Sequence, residues 1–447
     1  MAAHPFADVH DWLDRHVAPG RPVALACSGG SDSHALLLIA SDWARARGRT
    51  LLVLTVDHGL RTQSGGEADA VAQRARALGH EARILRWEGD KPSSGLQAAA
   101  REARHRLLAD AARTAGACDL LLAHTLDDQA ETVWMRLASG GGRRGCSGMA
   151  PIAPSPVWPD GREVRILRPL LDIRREALRE GLRARGESWI DDPSNLADRF
   201  MRVRVRRRLA ALRQAGFDDA RLVRMAGDIR AILAVERRAA ARLAGRAVRF
   251  FDWGGVRLEP AVFAAAASVV RRAVIESACL AVSGQARLPS AAAVDRIEAG
   301  LLAQRRCTGG GVLLAPWRGA MWMVRDPGAV TGRVDRPDMP VLQGELDEAV
   351  WDGRVLVSGL PDGWTAGPLG RSYDGLDDRA LLDAVPGFAR PGLMALRCDR
   401  GVVAVAGLWP CGGAAVQGTR CAVRPLQLHR FCTRLLPAVP AVWFDRK

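Results

Sequence analysis

Residues 28–33 read Ser-Gly-Gly-Ser-Asp-Ser, between an apolar run at 22–27 (PVALAC) and a stretch with helical spacing, HALLLIASDWARA. Paired glycines let a backbone close on an anion. A helix N-terminus adds unpaired N–H groups and a partial positive charge, and serines add hydroxyl donors. Such a loop can cradle phosphates, and it lacks the lysine of a Walker A loop. Asp32 is an acid inside it, so a cation must stand between Asp32 and any phosphate, and Mg²⁺ is the natural bridge. A second constellation lies at 123–132, Ala-His-Thr-Leu-Asp-Asp-Gln-Ala-Glu-Thr. It places Asp127, Asp128 and Glu131 in one helical turn, with Asp127 and Glu131 four apart on a shared face. Acids there serve either as caps for the helix dipole or as a metal- or amine-binding edge facing the phosphate loop. In the third, Arg202, Arg204 and Arg206 alternate. An extended chain would put them on one face, as a solvated basic edge or a nucleic-acid contact.

The elements that must position these residues alternate. Buried strands are expected at 22–27, 50–57, 81–87 and 118–124. Helices are expected after residue 33, over 67–78 and 95–115, and from near Asp127. Residues 164–171 and 174–191 continue the pattern. Strand–helix alternation means βαβ units and a parallel sheet, whose ligands bind at the carboxyl ends of the strands. The polar residues collect there: 28–33, Asp57-His58-Gly59, and His124 to Asp128.

Charge and length bound the rest. The 447 residues are 48% hydrophobic, too apolar for a disordered chain, and no long uncharged run predicts a membrane span. The N-terminus has acids and no apolar core of a secretory signal. Lys+Arg exceeds Asp+Glu by 64 to 49, a formal net charge of +15, and all the cations but Lys91 and Lys447 are arginine. That excess points to a polyanionic partner, nucleic acid first. Nine cysteines show no CxxC spacing. Cys27, Cys118 and Cys279 read as small core residues, and a reducing cytoplasm is expected. From Arg199 to Arg249 arginines outnumber acids heavily, with apolar residues at helical spacing through 209–249, 261–282 and 291–303. Three domains are therefore expected: 1–209 around the phosphate loop, 210–305 helical, and 306–447 mostly β.

The loop at 28–33 resembles the PP-loop of the ATP pyrophosphatases, enzymes that cleave ATP between the α- and β-phosphates and adenylate a carbonyl oxygen. Their fold is a doubly wound, Rossmann-like parallel sheet, in agreement with the α/β pattern above. AHTLDDQAET resembles the HHxDDQxET signature of the bacterial tRNA(Ile)-lysidine synthetases. Further segments resemble that family in order and spacing: VDHGLR (56–61), LQAAAREARHRLL (96–108), GGGRRGCSGM (140–149), RPLL (168–171), WIDDPSN (189–195) and RFMRVRVR (199–206). The resemblance covers roughly the first 210 residues. The chain departs from it at His105 (usually Tyr), Thr125 (usually His), Val203 (usually Asn) and Cys146 (often Leu).

The resemblance implies an ATP-dependent ligase that joins free L-lysine to C2 of the wobble cytidine of tRNA(Ile) with a CAU anticodon. It implies ATP as co-substrate, Mg²⁺, and dimers in some members. Ser28, Gly29, Gly30, Ser31, Asp32, Ser33, His58 and His124 would bind ATP, with Asp32 also on the metal. Arg101 and Arg104 would face phosphates or the cytidine adduct. Asp127, Asp128 and Glu131 would hold lysine ammonium groups or act as base. Arg202, Arg204 and Arg206 would meet the tRNA. Rival readings are a tRNA-thiolating PP-loop enzyme, a small-molecule amidotransferase or ligase, and a non-catalytic tRNA- or nucleotide-binding protein. The missing CxxC pair counts against the first, the arginine-rich middle against the second, and the intact loop motifs against the third.

Overall fold

The computed structural model describes residues 7–190, 201–332, 339–371, 373, 379–408 and 421–437. Two compact units divide the chain, one up to Ala234 together with residues 437–447, the other from Val235 to Leu436.

The first unit opens with α1 (Ala7–His16), β1 (Val23–Ala26), α2 (Ser31–Ala46), β2 (Leu51–Asp57), α3 (Ser64–Ala77) and β3 (Glu81–Arg86). It continues with α4 (Leu96–Thr114), β4 (Asp119–Leu121), α5 (Leu126–Ala138), α6 (Arg143–Cys146), β5 (Ile152–Pro154) and β6 (Arg165–Leu167). Then come α7 (Arg175–Ala184), α8 (Met201–Gln214) and the first part of α9 (Ala220–Ala247), a helix that the division at Ala234 splits between the units. The sheet order is β3-β2-β1-β4-β6-β5, parallel throughout except for the β5 edge. This is the doubly wound α/β sheet expected from the sequence.

The strands are short and apolar because both faces are covered. Val23 and Leu25 of β1, with Leu51 and Val53 of β2, bury under α1, α2, α3 and α7. The alternate residues Ala24, Leu52 and Leu54 bury on the other face with Leu108 and Ala112 of α4. A strand's period of two sends neighbours to opposite faces. Cys27 and Cys118 are free and buried in these layers, as the apolar neighbours predict. A buried ion pair joins the neighbouring strands β4 and β6: Arg165 Nε donates to Asp119 Oδ1 at 2.8 Å, and Asp119 Oδ2 accepts from Ala18 N at 2.7 Å.

Among the described residues the second unit holds three antiparallel sheets. The first contains β7 (Val248–Phe250), β8 (Val256–Leu258), β9 (Cys307–Gly309), β10 (Val312–Trp317) and β11 (Ala320–Arg325), in the order β7-β8-β11-β10-β9. Helices α10 (Pro260–Ala264), α11 (Ser268–Ser283) and α12 (Ala291–Leu302) belong to this unit, and α11 and α12 share a core with β8, β10 and β11. Cys279 lies free in that core. The strands at 248–258 fall in the stretch read as helical. There V-R-F and V-R-L alternate around Gly254, whose φ of +91° makes the turn, so period two wins over the helical period on either side. The other sheets are β12 (Leu342–Gln343), β15 (Thr365–Pro368), β16 (Met394–Cys398) and β17 (Gly401–Val405), and β13 (Leu346–Trp351), β14 (Val355–Leu360) and β18 (Ala422–Pro425). Helix α13 (Gln427–Leu435) follows, its Phe431 and Leu435 packing into the core of α11 and α12. Trp351 and Trp364 pack into the core of the last two sheets, whereas Trp409 and Trp443 lie outside the described residues. Among the described residues no helix is long and apolar enough to cross a membrane.

Candidate active site

The sheet order reverses between β1 and β4. Chain leaving the carboxyl end of β1 runs on to β2 and chain leaving β4 runs on to β6, in opposite directions across the sheet, which opens a crevice at the carboxyl ends of those two strands. Both motifs sit there, 28–33 after β1 and 123–132 after β4.

Gly29 has φ of +83°, and a Cβ there would stand 2.6 Å from Ile190 Cδ1 and 3.0 Å from Val71 Cγ2. Gly29 O also accepts from Ile190 N at 3.0 Å. Only glycine fits this turn. Ser33 Oγ lies inside the loop, accepting from Ser28 N at 3.2 Å and donating to Gly30 O at 3.0 Å. Gly30 caps α2 without a side-chain bond, so the first-turn N–H groups of that helix remain available to an anion. Gly29→Ala is expected to destabilise the protein by about 1–3 kcal/mol and to weaken ATP binding. Thermal denaturation with a nucleotide titration checks both, and an alanine variant of native stability and affinity would refute the turn argument.

Asp32 meets the second motif through Arg175. Arg175 Nε donates to Asp32 Oδ2 at 2.8 Å and Arg175 Nη2 to Asp128 Oδ1 at 3.0 Å. Burial pushes the Asp32 carboxyl above its usual range despite Arg175, and Asp128 adds to the rise. Burial also works against the Asp128 carboxylate, but Arg175 and the hydrogen bonds from Thr125 outweigh it and hold that carboxyl below its usual range. Thr125 caps α5: Asp128 N donates to Thr125 Oγ1 at 3.4 Å, and Thr125 N donates back to Asp128 Oδ2 at 2.9 Å. This is a reciprocal capping box. Asp127 is fully engaged, accepting from Arg175 N at 2.8 Å on Oδ2 and from Arg213 Nη2 at 3.1 Å on Oδ1. Glu131 is buried, with Oε1 on Arg206 Nε at 2.8 Å and Oε2 without a partner. Gln129 clamps the Gly-rich loop by both amide atoms, to Met149 O at 2.7 Å and from Met149 N at 2.6 Å. Cys146 lies buried in that loop, its thiol bonded to Gly141 O at 2.9 Å.

A cationic cluster lines the same end of the sheet. Burial first, then Arg101 and Arg202, together lower the pKa of Arg104 to about 10; its Nε is buried without a partner. Arg168 is likewise brought to about 10, by burial and then Arg101. Arg101 is pulled down by burial, Arg202 and Arg136. Guanidiniums that depress one another in this way wait for an anion. His58, His105 and His124 are all held below the ordinary imidazole value, first by burial and then by these arginines. His105, where the family has Tyr, falls to about 3, and neither ring nitrogen has a partner.

One expectation needs correction. Arg202, Arg204 and Arg206 lie on helix α8, not on extended chain. The alternating arginines were a misleading signal: Val205 and Leu209, four apart, pack on Ala130 of α5 and demand a helix. On that helix Arg202 and Arg206 share a face toward Arg101 and Glu131, and Arg204 is exposed elsewhere. The segment WIDDPSN lies outside the described residues beyond Ile190. Sequence reasoning missed Arg175, although paired buried acids require a cation, and gave Arg168 no role inside RPLL.

A family model described as "PP-loop domain" matches residues 7–212. The chain is 53% identical over 188 residues to a tRNA(Ile)-lysidine synthase of Hyphomonas neptunium, covering 42% of this chain and 50% of that protein. It is 39% identical over 331 residues to the synthase of Methylobacterium nodulans, covering 70% of this chain and 94% of that protein. With the synthase of Mesorhizobium japonicum it shares 38% over 384 residues, 81% of this chain and 78% of that one. Against the Hyphomonas protein and the 51%-identical synthase of Caulobacter vibrioides, the chain spans about half the relative's length. Identity sustained over nearly the whole Methylobacterium protein, with both signature motifs brought together at one crevice, means that the chain belongs to the tRNA(Ile)-lysidine synthase family.

Proposed function

We propose that the protein ligates free L-lysine to C2 of the wobble cytidine of tRNA(Ile) bearing a CAU anticodon, at the expense of ATP. The observation that carries this reading is the Arg175 bridge, which joins the acid of the phosphate loop to the acids of the second motif. Phosphate chemistry and amine chemistry thus share one crevice.

In the first step the cytidine C2 oxygen attacks the α-phosphorus, the α–β phosphoanhydride bond breaks and pyrophosphate leaves. Ser28 to Ser33 and the α2 N-terminus hold the phosphates, assisted by His58 and His124, and Arg101 and Arg104 meet the developing negative charge. Asp32 carries only hard oxygen donors and already holds a cation, Arg175, so it fits Mg²⁺. The ion would be held by Asp32 and would offset charge on pyrophosphate. In the second step the lysine ε-amine attacks C2, the C2–O bond breaks, AMP leaves with the oxygen, and the amine loses a proton. Within this reading Glu131, with Oε2 free, takes the ammonium or its proton, and Asp128 assists. Asp127 orients both helices through bonds it already makes.

Residues 1–209 carry the chemistry in this proposal, and 210–305 and 306–447 grip the tRNA. Arg202 and Arg206 reach it from α8, with Arg204 on the exposed side. A cytoplasmic homodimer is the expected assembly. Affinity for tRNA is expected to fall about 10³-fold or more between about 50 and 200 mM salt if six or more phosphates are gripped. A filter-binding series checks this, and a flat series would remove the phosphate-gripping role. The decisive assay is labelled lysine incorporation into a CAU isoleucine tRNA transcript with ATP and Mg²⁺, against a methionine tRNA control. Incorporation into the isoleucine transcript alone, with AMP formed, supports the reading, whereas tRNA binding without incorporation refutes it.

A further inference from the structure

Strands β4 and β6 run parallel and in register, Leu121 opposite Leu167, so His124 and Arg168 leave the same sheet edge close together. Arg168 Nε stands 3.3 Å from His124 Nδ1. The guanidinium is anchored from behind, with Nη1 donating to Ala150 O at 2.8 Å, and the Arg168 backbone N–H donates to Pro151 O at 2.9 Å. An arginine Nε always carries hydrogen and never accepts. His124 Nδ1 must therefore offer a lone pair. An imidazolium has none, and the other neutral tautomer would set N–H against N–H.

We propose that Arg168 is a positioning residue that holds His124 as a neutral imidazole with its one proton on Nε2, an uncharged N–H donor for a phosphate oxygen. The tautomer rests on the Arg168 geometry, and the identity of the acceptor rests on the ATP reading above. The groups facing His124 act in the same direction overall. Burial, Arg168, Arg104 and Arg101 disfavour the imidazolium, and only Asp128 favours it. Among guanidiniums already crowding the crevice, a neutral donor adds a hydrogen bond without adding repulsion. The site therefore keeps one charge state across neutral pH, and His124 is not the base that takes the lysine proton.

The test uses the full chain with ¹⁵N-labelled histidine. Long-range ¹H–¹⁵N spectra are recorded from about pH 5.5 to 8, with His124 assigned by the signal lost in His124→Asn. The native protein is expected to show a bare Nδ1 and a protonated Nε2 that do not titrate. Arg168→Met is expected to mix the tautomers and let His124 titrate, and to make ATP affinity pH-dependent where the native affinity is flat. Arg168→Lys keeps a donor and is expected to restore the native pattern. A protonated Nδ1, or an imidazolium forming between about pH 6 and 7 in the native protein, overturns the proposal even if Arg168→Met does not fold. The proposed tautomer in a protein that binds no ATP would instead overturn the ATP reading and leave the role of Arg168 standing.

Discussion

Asp32→Ala is expected to cut ATP-dependent lysine incorporation by about 10³-fold, with the fold intact. Asp32 is the acid within the phosphate loop, and its carboxylate is the group placed to carry a cation against phosphate. The variant leaves Arg175 on Asp128 at 3.0 Å, so the second motif keeps its counterion. Stability follows from the direction of the Asp32 shift. Folding raises that pKa, chiefly by burial, so the ionised carboxylate is disfavoured in the folded protein. The native protein should therefore lose stability relative to Asp32→Ala as pH climbs through the Asp32 titration, and regain it as pH falls. Incorporation assays with thermal denaturation at several pH values check both halves. Near-normal incorporation by the variant would remove Asp32 from the metal role.

Arg104→Met is expected to move stability and activity in opposite directions. Burial, with Arg101 and Arg202 beside it, brings Arg104 well below the ordinary guanidinium value to about 10, so the charged form is disfavoured by folding across the working pH range. A shift of that size sets an upper bound of about 3 kcal/mol on the relief from removing the charge. Methionine follows the same stem and packs without a buried cation. A gain of roughly 1 kcal/mol would raise Tm by about 2–4 °C, while incorporation should fall about 10²-fold or more. A lower Tm would show that Arg104 is compensated by an acid. Unchanged activity would show that the cluster does not meet the reacting anion.

The sheet was legible because its strands are continuous apolar runs and the helices between them are long enough to show their period. The loops were legible because glycine, serine and acid occur at the two positions where a doubly wound sheet opens. Residues whose meaning lies in a distant partner were not. Arg175 is 143 positions from Asp32, and nothing local to it announces the bridge. Asp127 and Asp128 look equivalent in sequence, yet one is spent on Arg175 N and Arg213 and the other is shared between a cap and Arg175. Helix α8 was misread because Arg202, Arg204 and Arg206 alternate, a pattern that mimics a strand until Leu209 is seen packing with Val205.

Thr125 stands where relatives of this chain usually carry histidine, in the middle of their most recognisable motif. It is fully enclosed, and its hydroxyl and backbone are both occupied in starting α5. What this position fixes here is the point at which a helix begins, and with it the aim of the acids that follow. A letter inside a reactive signature can thus serve as architecture, with its hydroxyl turned to starting a helix and the reactive groups left to the next turn.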